Sequence, residues 1–276
     1  MDKTKLTVSQ PGSLTDADLF KLPVGNKILS VSGELNNADM ELLRKWIQSD
    51  EVKSQLETVD LRSVSGMTYI PSQMFFRCPQ LREVYLPDIT VKIGSQAFAY
   101  SPQLAFVDTN RITDIDTFDS FAYCENLPGS EFSDTVTVGS FTFRKTVFTG
   151  NVSFPKLQVL SPYVFYDTVI HGDVCLPGVT CCKEDAFFGA AVSGRIDLPN
   201  CHILKYGILN DLRSLNMLSL TTAKKITLSP HTFTERASTE KIILQLHENK
   251  MPEVRHREWG GTVWKEICFI SESQSV

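Results

Sequence analysis

The side chains able to do chemistry are few and scattered. The chain holds five histidines (His171, His202, His231, His247 and His256) and seven cysteines (Cys78, Cys124, Cys175, Cys181, Cys182, Cys201 and Cys268). Zinc-assisted hydrolysis would call for HExxH, serine acyl transfer on an α/β-hydrolase for GxSxG, and phosphate chemistry for a glycine-rich loop. None of these spacings occurs. There is no CxxC, and Cys201 stands beside His202 without a second ligand pair at zinc spacing. Cys181 and Cys182 are a vicinal pair, and one of them fills an apolar repeat position. A catalytic triad has no fixed sequence spacing, being a matter of geometry, but a repetitive surface offers few closed pockets. No catalytic residue, cofactor or metal is expected.

Recognition chemistry is better represented. Aromatic and acidic residues recur around short V-x-L or I-x-L segments. In a strand the middle residue of such a triplet points away from the core, as does the residue two positions earlier. The middle positions hold Asp60, Tyr85, Asp108, Glu131, Ser153, Cys175, Asp197, Ser219 and Ile243. The earlier positions include Thr58, Glu83, Phe106, Asp173 and Arg195. Acidic groups dominate the N-terminal two-thirds, with Tyr85 and Phe106 among them. Glu83, Tyr85, Phe106, Asp108 and Glu131 are therefore the candidate partner-binding residues. The aromatics would anchor a basic or amphipathic protein ligand; the plain alternative is a solvated face. Carboxylates so spread out do not make a calcium site, which gathers about six to eight oxygens.

These residues are positioned by a repeat. Phenylalanine recurs at Phe75, Phe98, Phe121, Phe143, Phe165, Phe187 and Phe233, with Leu209 in the one vacant slot; the steps are 22–24 residues. Five residues before each stands an apolar column: Ile70, Ile93, Val138, Leu160, Cys182, Leu204 and Leu228, with Asp116 in the third unit although Ile115 is adjacent. Nine after each begins the strand triplet, and proline often follows it, as at Pro87, Pro155, Pro177 and Pro199, where a missing N–H stops a strand. Three after each stands a column of small residues, Cys78, Ser101, Cys124, Thr146, Thr168 and Ala190, so these two cysteines read as buried thiols acting as small hydrophobes. A fixed period of about 20–29 residues with an apolar-x-apolar strand in each unit is a leucine-rich-repeat solenoid. The class is α/β and β-rich: a right-handed solenoid with one parallel sheet, near residues 29–31, 59–61, 84–86, 107–109, 130–132, 152–154, 174–176, 196–198, 218–220 and 242–244. Ser161-Pro162 and Ser229-Pro230 look like helix starts, so each phenylalanine is expected on a short convex helical turn. His231 would face solvent on one of them.

The ends differ. Residues 1–55 read as an N-terminal entry segment and a capping strand and helix: residues 1–26 irregular with a short helix near Thr15–Leu22, then a strand over Lys27–Gly33 with Leu29 and Val31 alternating, and an amphipathic helix begun by Asn36–Asn37 with Met40, Leu43 and Ile47 on one face. They would cap the repeats of residues 56–246; residues 247–276, with Trp259 and Trp264, would close the far end before a frayed SESQSV tail. Net charge is −5 with no basic block, a poor match to nucleic acid. No apolar run approaches about 18 residues, so no transmembrane segment is expected. The first twenty residues lack the apolar stretch of a signal peptide. The expected setting is the cell surface or the exterior if a leader has been removed, and the cytoplasm otherwise; a monomer is expected.

The signature I-x-x-x-A-F-x-x-C-x-x-L-x-x-V-x-L-P, clearest in IGSQAFAYSPQLAFV from Ile93 and IPSQMFFRCPQLREVYLP from Ile70, resembles the BspA-like leucine-rich-repeat family. ILSVSGELNNADMELLRKW resembles the N-terminal part of such proteins in gut and oral Bacteroidetes. The likeness spans about residues 27–270; the unit at Ser130 and the tail depart most. It implies a secreted or surface-attached bacterial protein active in adhesion or host-partner interaction. The alternative is an intracellular leucine-rich-repeat scaffold.

Overall fold

Successive units stack strand upon strand. The structure, a computed structural model, describes residues 3–109, 111–115 and 118–271. The V-x-L strands form a first parallel ladder, ordered as in the chain. Lys3–Val8, Ile28–Glu34, Thr58–Ser65, Glu83–Tyr85 and Phe106–Val107 make a five-stranded sheet. Ser130–Glu131, Val152–Ser153, Val174–Cys175, Arg195–Asp197, Met217–Leu220, Ile243–His247 and Glu266–Ile270 make a seven-stranded one. The single continuous sheet expected from the repeat is thus in two pieces. Among the described residues no strand pairing joins Phe106–Val107 to Ser130–Glu131. The local sequence explains the gap. Pro128 has no N–H to donate, and Gly129 has no side chain to hold a strand.

The apolar column five residues before each phenylalanine forms a second ladder, four strands from Tyr69–Ile70 to Thr137–Val138 and four from Val159–Leu160 to Thr227–Leu228. In the third unit the buried residue is Ile115; Asp116 lies outside the described residues. A third ladder, absent from the sequence expectations, pairs Val147–Phe148, Val169–Ile170 and Ala191–Val192. The leading segment is not irregular. It opens on the strand Lys3–Val8, whose alternate residues Thr4, Leu6 and Val8 are buried. The two N-terminal helices stand where their capping residues put them, Asp16–Phe20 after Thr15 and Asn37–Ile47 after Asn36, each with a reciprocal capping box.

The phenylalanine column is the axis of the core. Phe75, Phe98, Phe121, Phe143, Phe165 and Phe187 are each at most 1% exposed. They stack with centroids 5.0–5.7 Å apart and ring planes within 21°, the offset geometry aromatic pairs favour. Leu209 ends the stack. Phe233, also expected in it, is buried but meets Trp264 edge-on at 5.1 Å and Trp259 at 6.2 Å. The small column does more than fill space. Ser101, Cys124, Thr146 and Thr168 donate to the carbonyls of Phe75, Phe98, Phe121 and Phe143, one unit back, at 2.9, 3.3, 2.6 and 2.6 Å. Cys124 is therefore a donor as well as a small hydrophobe, and burial pushes its thiol up to about 12.

The turns carrying the rings are not helical, unlike the expectation from Ser-Pro. The residues two before and two after a ring adopt left-handed φ: Gln73 and Arg77, Gln96 and Tyr100, Phe141 and Lys145, Tyr163 and Asp167. A helix would spend its N–H groups inside the turn. These turns direct them to the next unit: Phe75 N–H to Ala97 O at 2.8 Å, Phe98 N–H to Ser120 O at 2.9 Å, Phe165 N–H to Ala186 O at 2.9 Å. Gly189 and Gly207 occupy the same register positions later in the chain, also at positive φ. A side-chain-bearing residue there costs about 1–2 kcal/mol. Lys145 is exposed, at φ 53°, and its ammonium lies 5.5 Å from the Tyr123 ring centroid. Lys145→Gly should raise stability by about 0.5 kcal/mol, the relief of strain less the flexibility glycine adds to the unfolded chain. Urea denaturation checks it: the glycine variant gains, and Lys145→Ala does not.

Candidate partner-binding face

The outward residues of the first ladder gather into a patch on its N-terminal piece. Glu83 and Tyr85 share the strand Glu83–Tyr85 and alternate outward with it. Phe106 pairs with Glu83 across the ladder, which brings the Phe106 and Tyr85 rings to 5.1 Å at an angle of 41°. Tyr85 Oη donates to Glu83 Oε2 at 3.1 Å, and that bond raises the tyrosine hydroxyl above its ordinary value. Phe106 is 39% exposed, a large apolar side chain held open beside a half-buried tyrosine.

Residues that the sequence argument did not single out complete the patch. Arg62 lies over the Tyr85 ring, its guanidinium carbon 4.5 Å from the centroid. It grips Asp60 with two bonds of 3.0 Å, and Lys3 approaches the same carboxylate at 4.0 Å. The Arg62 hydrogen bonds hold the Asp60 carboxyl below its ordinary value against the opposing effect of burial. The signal for Arg62 was present: it stands two residues beyond Asp60 in Thr58–Ser65, so it shares the outward face. A triplet read as V-D-L stops one residue short of it.

Asp108 sits just past Phe106–Val107 and lines a cleft of about 280 Å³ with Pro87, Asp88 and Arg111. Arg111 donates to Asp88 O at 3.2 Å and faces its carboxylate at 3.9 Å. Four of the five candidate residues therefore lie on adjoining strands or at their ends. Glu131 is set apart. It is exposed, but on the seven-stranded piece beside Ser153, across the interruption in the ladder. Ser219, read as outward, is buried. The patch mixes two aromatic rings, a stacked guanidinium and several carboxylates on a rigid ladder, an arrangement suited to recognition. Among the described residues no group of three or more His, Cys, Asp or Glu side chains converges as metal ligands would, and no helix is long and apolar enough to cross a membrane.

The comparisons with known proteins concern the repeats. A BspA type leucine rich repeat region matches residues 51–171 in six copies. Two solved structures are similar. One is a leucine rich cell surface protein from Faecalibacterium prausnitzii A2-165, with 15% identity over 99% of this chain and 90% of that one, and a TM-score of 0.39. The other is the pneumococcal vaccine antigen PcpA, with 13% identity over 98% and 89% and a TM-score of 0.30. No curated protein matches the chain.

Proposed function

We propose, from the match of residues 51–171 to a BspA type leucine rich repeat region, that the protein is a non-enzymatic protein-binding module of the bacterial cell surface or exterior, engaged in adhesion or partner interaction. The partner docks on the N-terminal piece of the first ladder. The observation that carries this reading is the Tyr85–Phe106 pair, apolar and open at 39% exposure for Phe106, ringed by Arg62, Asp60, Glu83 and Asp108. Aromatic anchors with charged neighbours are the common energetic centre of protein interfaces. The carboxylates favour a basic or amphipathic partner and make association salt-sensitive.

Phe106→Ala should weaken binding by about 1–2 kcal/mol or more, with a further loss at high salt. Gln96→Ala, on the turn side, should leave affinity unchanged. The partner is first captured with extracellular-matrix proteins as bait, and each variant is then titrated at two salt concentrations. Equal affinity for Phe106→Ala and wild type, without salt dependence, sinks this face as the site. A second reading, an intracellular scaffold, has one observation in its favour: all seven cysteines are free, as in reducing compartments. Protease shaving of intact cells separates the two, since only a surface protein is cleaved.

A further inference from the structure

One unit carries sulfur where its neighbours carry hydrocarbon. Cys182 stands five residues before Phe187, and Cys201 fourteen after it. In the two preceding units the same two positions hold Leu160 with Val179 and Val138 with Leu157. All six side chains are buried, at 1% exposure or less. A cysteine at either position alone would be a small hydrophobe. In this unit both positions change together, and the two side chains meet: Cys201 Sγ lies 3.8 Å from Cys182 Sγ.

The backbone holds both in place. Cys182 ends the strand Cys181–Cys182, which pairs with Val159–Leu160 on one side and Ile203–Leu204 on the other. Cys201 lies two residues ahead of that second partner strand. Its N–H donates to Leu198 O at 3.2 Å, and its Sγ is 3.5 Å from Ile203 O. A disulfide sets its sulfurs about 2.05 Å apart, so the pair has only about 1.8 Å to close, a small rotation of two side chains. The hydrogen bond the sulfurs share holds the Cys201 thiol below its ordinary value and pushes that of Cys182 up. Cys201 is therefore the better nucleophile of the two.

We propose that Cys182 and Cys201 are a cross-linking pair, free as drawn and joined by a disulfide when the chain folds in the presence of a small-molecule disulfide oxidant. The Cys201 thiolate attacks one sulfur of oxidised glutathione. One glutathione thiolate leaves and takes up a proton, and a mixed disulfide remains on Cys201. Cys182, losing its proton, then attacks Cys201 Sγ and expels the second glutathione. The two protein thiols give up two electrons and two protons, and the oxidant becomes two thiols. Both sulfurs are covered in the folded chain, so the exchange takes place while the unit is open, during folding or local unfolding. The bond staples the second ladder to the turn that follows the first, within one unit. It requires nothing of the Tyr85–Phe106 face.

The test refolds the full chain, reduced and unfolded in urea, in a mixture of reduced and oxidised glutathione, then alkylates it and digests it with trypsin. Cleavage after Lys183 and Arg195 puts the two cysteines in separate peptides, residues 157–183 and 196–205. The expected result is the loss of two of the seven thiols, with those two peptides joined and released again by dithiothreitol. The first peptide also holds Cys175 and Cys181. The double variant Cys175→Ser with Cys181→Ser leaves Cys182 alone in it and should keep the link. Cys182→Val and Cys201→Val should each abolish it. Valine already stands at the equivalent positions in Val138 and Val179, so the core accepts it; should either variant fail to fold, the double serine variant decides. Seven thiols retained, a link that persists in folded Cys182→Val or is lost in the double serine variant, or a glutathione adduct on Cys201 that Cys182 does not displace, overturns the inference.

Discussion

Phe143→Ala lowers the unfolding free energy by about 3–5 kcal/mol, the range for deleting a fully buried aromatic ring that leaves a cavity. Phe143 is the hub of the ring column. It stacks on Phe121 at 5.6 Å and Phe165 at 5.7 Å, meets Phe148 edge-on at 5.3 Å, and touches Phe132 and Phe154 at 5.6 and 5.9 Å. Its carbonyl receives the Thr168 hydroxyl and its N–H reaches the next unit at Val164 O. The surrounding rings are held from both sides by their own units, so the site collapses poorly and the upper part of the range applies. Urea denaturation of the variant measures it. Because repeats are coupled mainly to their neighbours, hydrogen exchange should quicken most in residues 118–170 and least at the ends. A loss below about 1 kcal/mol would mean that the ring column does not couple the units.

Asp39→Ala costs about 3 kcal/mol. Its side chain is fully buried and makes three hydrogen bonds at once, accepting from Gly12 N–H at 2.6 Å, Leu14 N–H at 3.0 Å and Asn36 N–H at 3.0 Å. It closes the capping box of Asn37–Ile47 and ties the loop after Lys3–Val8 to that helix. Removing the acceptor strands buried donors, at about 1–3 kcal/mol for each that water cannot reach. Burial alone would raise its carboxyl; the three N–H groups outweigh that and hold it below the ordinary 3.8. A depressed folded-state value means that the contribution is complete above the unfolded value and is lost as pH falls through the folded one. The stability gap between wild type and Asp39→Ala should thus be full at neutral pH and close on acidification below the ordinary carboxylate value. A gap that stays constant with pH would rule out the charged form as the source. Asp39→Asn should recover only part of the loss, since its amide offers one acceptor oxygen where the carboxylate uses two.

The repeat was legible because it is written in residue type at a fixed spacing. A phenylalanine every 22–24 residues and an aliphatic pair nine and eleven positions later determine which side chains face inward, and the buried set follows them. What escaped was written in backbone conformation. The left-handed residues flanking the rings are Gln, Arg, Tyr, Phe, Lys and Asp far more often than glycine, which takes these positions at Gly189 and Gly207. Their types give no hint of it, and Ser-Pro before Tyr163 reads as a helix start until the next unit is present to receive the N–H groups. The ladder of Val147–Phe148, Val169–Ile170 and Ala191–Val192 is two residues per unit, too short for alternation to show. Lys3–Val8 does alternate, but KTKLTV carries its inward Thr4 among lysines and reads as polar. At the candidate face, alternation puts Glu83, Tyr85, Phe106 and Asp108 on the outward side, where the structure leaves each of them half-buried or exposed. It placed Glu131 with them because a repeat pattern assumes an unbroken ladder, and Pro128-Gly129 breaks it.

That break gives the molecule a mechanical seam. At the junction the first ladder supplies no rungs. At the Pro128-Gly129 break the load passes through the Asp114–Ile115 pairing with Thr137–Val138, the Phe121–Phe143 contact and the hydrogen bonds of the ring turns, such as Phe121 N–H to Thr142 O at 2.9 Å. One unit further on, among the described residues, it is the second ladder that is interrupted, between Thr137–Val138 and Val159–Leu160, while the first ladder and the ring column run on. Stretching and bending therefore concentrate in the two adjoining units around residues 106–160, between the five-stranded piece that carries Tyr85 and Phe106 and the seven-stranded piece that carries Glu131. A protein that grips a partner under tension would yield at this crease before either block begins to unravel.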